Sequence, residues 1–256
     1  ISGNEVTLVS GNCPEKNTEL NIPQTINYNS NLYTVTKIGN NAFKNCKTWS
    51  GPLTLPSSLK TIGDNAFYFC SRLPGDISIP NGVTSIGFQA FIECTGFNGR
   101  LIIPDTVKKI GGSAFSGCTS LTGDLNIPSK ITIIEDQTFS SLGCSGTLIL
   151  PANVISIGAR SFQCTNFECQ LKLPNSLTTI KTSAFSSSSF TGDLNLPINL
   201  ENLEYSAFRD CIKLSGSLTI PNKIKTISYE AFSGCIGFNG NLNLPTEITD
   251  IGNRAF

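Results

Sequence analysis

Apolar positions follow two patterns that alternate along the chain. In the stretch CTSLTGDLNIPSKITIIEDQTF, starting at Cys118, Leu125 and Ile127 alternate with polar Asp124 and Asn126 up to Pro128. A period of two predicts a short strand with one face in the core and one in solvent. Proline ends the strand where its missing N–H does least harm to the ladder. Ile131 and Ile134 follow at a spacing of three, then Phe139, and the pattern begins again. An Ala/Ser/Thr-Phe pair ends at Phe43, Phe67, Phe91, Phe115, Phe139, Phe162, Phe185, Phe208, Phe232 and Phe256. A proline recurs in register at Pro56, Pro80, Pro104, Pro128, Pro151, Pro174, Pro197, Pro221 and Pro245. The period is 24 residues, falling to 23 in three central units. Self-similarity at that period predicts a solenoid. A unit so short cannot close its own core, so stacked units bury one another's Leu, Ile and Phe rows, with parallel strands about 4.8 Å apart.

Individual slots refine this picture. Glycine follows the second isoleucine at Gly39, Gly63, Gly87, Gly111, Gly158 and Gly252, which a residue with positive φ would explain. Glu135, Lys181, Glu204 and Ser228 hold the same slot in other units, so the turn there tolerates a side chain. Alanine before the phenylalanine predicts close packing between neighbouring turns, with Thr138 and Ser161 breaking the rule in the middle. Pro56 follows Pro23 by 33 residues rather than 24, and the extra nine fall within INYNSNLYTVTKIG. Asn27, Asn29, Ser30 and Asn31 punctuate two strand-like runs there, which predicts a hairpin covering the open edge of the first strand. The organisation expected is one domain over 1–256, with cap and first repeat in 1–45 and repeats over 46–256, the last incomplete. The chain reads as a piece of a longer protein, with any signal peptide already removed.

Units such as LTGDLNIPSKIT and VTSIGFQAFIECTGFNG resemble the Bacteroides surface protein A (BspA) type of leucine-rich repeat, also known from Treponema and from trichomonad protozoa. The hallmark of that family is a strand ending in Leu/Ile-Pro, followed by xxVxxIGxxAFxxC at 23 or 24 residues. Glycine two residues before the strand, as at Gly75, Gly99, Gly123, Gly192, Gly216 and Gly240, is most similar to the protozoan variants. The resemblance implies a β-rich leucine-rich-repeat solenoid of the α/β horseshoe class. Its parallel sheet lies on the concave face, with short turns or one-turn helices on the convex side. It also implies display on a cell surface or secretion, and adhesion to host cells, to matrix proteins such as fibronectin, or to other microbes. The competing reading is an architectural stalk or coat repeat without a specific ligand. The family supplies no catalytic residues.

Lys plus Arg and Asp plus Glu both number 18, so no net charge draws nucleic acid or an anionic membrane over long range. No run of 18 apolar residues spans a membrane. Histidine is absent, and no GxGxxG, P-loop, HExxH or GxSxG pattern occurs. Neither an enzyme nor a cofactor nor a metal is therefore expected. Glu135 with Asp136 reads as a solvated turn, and Trp49 sits in a core slot.

Cys13, Cys46, Cys70, Cys94, Cys118, Cys164, Cys211 and Cys235 each lie ten residues before a unit's proline, with Ser141 and Ser187 filling the gaps. A column in which cysteine alternates with serine predicts reduced, buried thiols that serve backbone groups inside a tight turn. Cys144 and Cys169 fall outside the column on consecutive turns, offset by two positions, and a bridge between them stays open.

The candidate partner surface is the outward face of the strands. Residues two before the proline form an inner row that includes Ile102, Asn126, Ile149 and Lys172. Residues four before it form an outer row that includes Asp76, Arg100, Asp124, Gln170 and Asp193. Isoleucine at two solvent positions among polar and basic neighbours has the composition of an interface. The expected occupant is a protein, either a host-surface or matrix protein or a second copy of this chain.

Overall fold

The computed structural model describes residues 5–9, 13 and 20–256. Most repeats contribute two very short strands, one before the proline and one after it; the turn before Pro174 has only the isolated bridge Gln170–Thr191, and the pre-proline strands Leu214–Thr219 and Phe238–Asn243 lengthen to six residues. Before the proline run Ile77–Ser78, Leu101–Ile102, Leu125–Asn126 and Leu148–Ile149. These pair in parallel and in register, as in Leu125↔Leu148 and Asn126↔Ile149. The expected strand and its proline terminus are therefore present.

A second stack was not anticipated. Ser85–Ile86, Lys109–Ile110, Ile133–Ile134, Ser156–Ile157 and their equivalents also pair in parallel, with Ile134 opposite Ile157. Ile131 and Ile134 are both buried while Thr132 and Ile133 between them are exposed. The chain bulges outward before extending for two residues, and a strand that short leaves no period of two in the sequence.

The segment around each phenylalanine forms the third side of the coil. Among the described residues it contains no helix, so of the two expected forms, short turns or one-turn helices, the turns are the ones present. Asn65, Phe67 and Phe69 donate their N–H groups to the next turn, to Phe88, Ala90 and Ile92 carbonyls at 2.8–2.9 Å. Tyr68 and Cys70 between them fold back onto Asn65 and Phe67 at 3.2 and 3.1 Å. Left-handed residues at Asn65 (φ 53°) and Phe69 (φ 56°) produce this alternation, and equivalent residues recur in other turns. The backbone thus satisfies itself between turns rather than within a helix.

Positive φ falls on Asn65, Gln89 and Arg160, two residues after the glycine slot, not on Gly63, Gly87 or Gly158. The glycine serves close approach instead. A Cβ on Gly63 would lie 2.7 Å from the Gly39 carbonyl carbon and 2.8 Å from the Asn40 nitrogen in the turn below.

The N-terminal elements are β1 (Glu5–Leu8), β2 (Leu20–Asn21), β3 (Thr25–Tyr28) and β4 (Asn31–Ile38). Strands β3 and β4 form the expected antiparallel hairpin, Ile26 opposite Tyr33. Asn29 and Ser30 both have positive φ, as a two-residue primed turn requires. The hairpin does not cover the sheet edge, however. It is inserted between Pro23 and the first rung of the post-proline stack, and β1 lies parallel to β4, Leu8 opposite Ile38, as the outermost strand.

Candidate binding face

Alternation places the predicted inner row in solvent. Ser78, Ile102, Asn126, Ile149 and Lys172 are exposed, while Ile77, Leu101, Leu125, Leu148 and Leu171 beside them are buried. Ile102 is 41% exposed and Ile149 52%, enough for both side chains to offer a partner apolar area. One strand, carrying Asn126, lies between them, so they stand about 10 Å apart.

The outer row is also exposed, but part of its chemistry is already used. The Asp76 carboxylate accepts the Arg100 N–H at 2.7 Å, and Asp124 accepts the Thr147 N–H at 2.6 Å. Gln170 donates its side-chain amide to the Asp193 carbonyl at 3.3 Å. Asp64, Asp105 and Asp136 staple consecutive turns in the same way at other corners, bonding the Phe88, Ser129 and Ala159 N–H groups. Arg100 and Lys172 have no ion-pair partner among the described residues. The face therefore offers two isoleucines flanked by two unpaired cations. Sequence reasoning missed Ile133 and Ile155, exposed neighbours on the post-proline stack, because in Ile131–Ile134 the pattern does not reveal which isoleucine turns outward.

The cysteines divide differently from the expectation. Cys13 and Cys46 form a disulfide, with Cα atoms 5.0 Å apart. Cys70, Cys94 and Cys118 are buried, and their thiols donate to the Phe43, Phe67 and Phe91 carbonyls at 3.0, 3.0 and 3.1 Å. Cys211 and half-buried Cys235 do the same to Phe185 and Phe208 at 3.0 and 2.9 Å. The column is thus real, but it is set by distance from the phenylalanine rather than from the proline. Its slot is three residues after Phe, so Leu142, Thr165 and Ser188 fill it in the short units, not Ser141, Cys164 and Ser187. Cys164 instead takes the left-handed position two after Phe162 (φ 55°) and is exposed. Thr165 and Ser188 turn their hydroxyls onto their own units' Phe162 and Phe185 carbonyls at 3.0 and 2.6 Å.

Cys144 and Cys169 are not bridged. Cys144 is buried in the core slot, where burial pushes its thiol up to about 11, and Cys169 lies two positions on in the glycine slot. One bridge and eight thiols follow. Titration in denaturant should find eight free thiols without reductant and ten with it, and six would require a second bridge. In the native protein, Cys164 should react first with a small alkylating reagent.

Trp49 is buried as expected, 5.9 Å from Phe43. Among the described residues, no group of three or more Cys, Asp or Glu is placed to hold a metal ion, and no helix is long and apolar enough to cross a membrane.

The family model described as BspA type leucine rich repeat region (6 copies) matches residues 16–99, 98–215 and 215–256, nearly the whole chain. No curated protein sequence matches it. Among solved structures, a leucine rich cell surface protein from Faecalibacterium prausnitzii A2-165 is similar at TM-score 0.67 and 26% identity. The match covers 99% of this chain and 66% of that one, so this chain spans just under two thirds of its length. A leucine-rich repeat protein from Bacteroides ovatus ATCC 8483 shares the fold at TM-score 0.63 and 24% identity, over 92% of this chain and 71% of that one.

Proposed function

Since the chain belongs to the BspA-type leucine-rich-repeat family, we propose that it is a surface or secreted protein-binding module whose pre-proline face docks a protein around Ile102 and Ile149. The exposure of these two isoleucines in one row of an otherwise polar sheet carries the reading. Interfaces concentrate apolar groups at their centre and place charge at the rim. Arg100 and Lys172 supply that rim, so the partner carries carboxylates opposite them and an apolar anchor between. The function served is adhesion to host cells, to a matrix protein such as fibronectin, or to another microbe. Surface location draws support from the Faecalibacterium cell surface protein and from the Cys13–Cys46 bridge, since disulfides persist in oxidising compartments.

Binding to immobilised fibronectin and to host cells should be measured for the wild type and for Ile102→Asp combined with Ile149→Asp. The double variant should keep its circular dichroism spectrum, because both side chains are exposed, and lose at least tenfold in affinity. Unchanged binding by the folded variant would move the site to another face. Wild type that binds neither target, and does not self-associate in sedimentation, would leave the architectural stalk as the better reading.

A further inference from the structure

The post-proline stack presents a different surface over its first four turns. Lys37, Thr61, Ser85 and Lys109 stand in register across adjacent strands. One residue earlier, Thr36, Lys60, Thr84 and Lys108 form a second row. It is joined by N–H bonds from Lys60 to Thr36, Thr84 to Lys60 and Lys108 to Thr84, at 2.7–2.9 Å. The result is a grid, two residues wide and four turns long, holding four ammonium groups and four hydroxyl groups. None of the four lysines has an ion-pair partner among the described residues, whereas Lys223 and Lys225 further along pair with Glu201 and Glu247. At the strand spacing, Lys60 and Lys108 stand about 10 Å apart and Lys37 and Lys109 about 14 Å. The zero net charge of the whole chain hides this local excess.

Shallow depressions lie at both ends of the grid. One of about 340 Å³ is lined by Thr36, Lys37, Lys60 and Thr61, with Glu5 at its side. The other, of about 380 Å³, holds Ser85, Phe88 and Lys109, with Asp64 and Glu135 at its side. Two of these three carboxylates are engaged: Glu5 accepts the Thr36 hydroxyl at 3.2 Å and Asp64 accepts the Phe88 N–H at 2.8 Å. Phe88 is 49% exposed, and Gly112 in the next turn has no side chain to lay on its ring, which a Cβ there would touch at 3.7 Å.

This chemistry selects among polyanions. A protein partner needs a central apolar anchor, and the grid has none. Single-stranded nucleic acid needs successive aromatic platforms, and only one ring stands at the border. Lysine ammoniums on flexible stems meet dispersed anionic groups without demanding bidentate geometry. Serine and threonine exchange hydrogen bonds with hydroxyls, and an open aromatic face suits the apolar C–H face of a sugar ring. We infer that this grid, with Phe88 at its edge, binds a sulfated polysaccharide.

Heparin serves as the probe, measured by calorimetry and by retention on a heparin column. The wild type should bind at physiological salt and release as salt rises, because screening shortens the reach of exposed charges to about 8 Å at 0.15 M. Lys37→Gln, Lys60→Gln, Lys108→Gln and Lys109→Gln combined should lower affinity at least tenfold with an unchanged circular dichroism spectrum. Phe88→Ala should weaken binding without altering its salt dependence. Lys223→Gln with Lys225→Gln should behave as wild type, and so should the Ile102→Asp, Ile149→Asp protein, whose face lies on the other stack. Absence of heparin binding, or equal binding by the quadruple variant, would overturn the inference. So would equal competition by polyglutamate and by desulfated heparin, which would assign the grid to acidic peptides or to sugar alone.

Discussion

Phe115→Ala should destabilise the solenoid by about 3–5 kcal/mol, with the loss confined to the turns on either side. Phe115 is fully buried and stacks nearly parallel on Phe91 and Phe139, with ring centroids 5.5 and 5.8 Å away. Truncation therefore removes two ring contacts and opens a cavity that neighbouring turns cannot close, because the hydrogen bonds of Phe115 to Thr138 and of Phe91 to Ala114 fix their separation. The stacked rings join each turn to its neighbours, and only long surface side chains reach past one, as Lys181 does to Asp136 at 3.4 Å and Lys213 to Glu168 at 2.6 Å, so core stability adds along one dimension. Hydrogen exchange should accelerate at Phe91, Phe115 and Phe139 while amides at Phe43 and Phe232 stay protected. Uniform loss of protection along the chain would contradict nearest-neighbour stacking.

The register of the repeat was legible because burial enforces it. Leu125, Ile131, Ile134 and Phe139 all point inward where the sequence pattern places them. What stayed hidden is backbone chemistry that side-chain type does not encode. Gln89, Glu93, Arg160 and Cys164 all adopt left-handed conformations, and none of these residue types advertises one. Their N–H bonds to the next turn hold them there, a constraint visible only once turns are stacked. The cysteine column shows a related difficulty. In the 23-residue units, counting from the proline and counting from the phenylalanine give different slots, and only the second tracks the turn that the Phe carbonyl closes.

The candidate binding face was legible in its alternation but not in its commitments. Asp76 and Asp124 look like surface recognition groups in the sequence, yet their carboxylates cap N–H groups of the following turn. The lysine grid escaped notice for the opposite reason. Lys37, Lys60, Lys108 and Lys109 are dispersed over more than seventy residues, and only the post-proline stack, with no sequence period of its own, brings them together.

Stability should fall steeply above pH 9 because of the buried thiols Cys70, Cys94 and Cys118. Burial pushes Cys70 and Cys118 up to about 12 from an ordinary value of 9.0, the bond each makes to backbone only partly offsetting it. Burial raises Cys94 as well, reinforced by its thiol neighbours above and below. A thiol whose folded pKa exceeds its unfolded one contributes stability that is complete below pH 9. That contribution disappears as pH climbs toward 12, because the unfolded chain releases the proton and the folded chain does not. Each thiol contributes a slope of about 1.4 kcal/mol per pH unit, so three unfolding together approach about 4 kcal/mol per unit. That is a large share of the 5–15 kcal/mol that a domain typically has. Urea midpoints between pH 8 and pH 11 should therefore drop more for the wild type than for Cys70→Ser, Cys94→Ser and Cys118→Ser combined. Serine keeps a donor near the Phe43, Phe67 and Phe91 carbonyls and does not titrate, so the difference between the two proteins isolates the thiols. Parallel curves over that range would mean that the column opens before its protons are released.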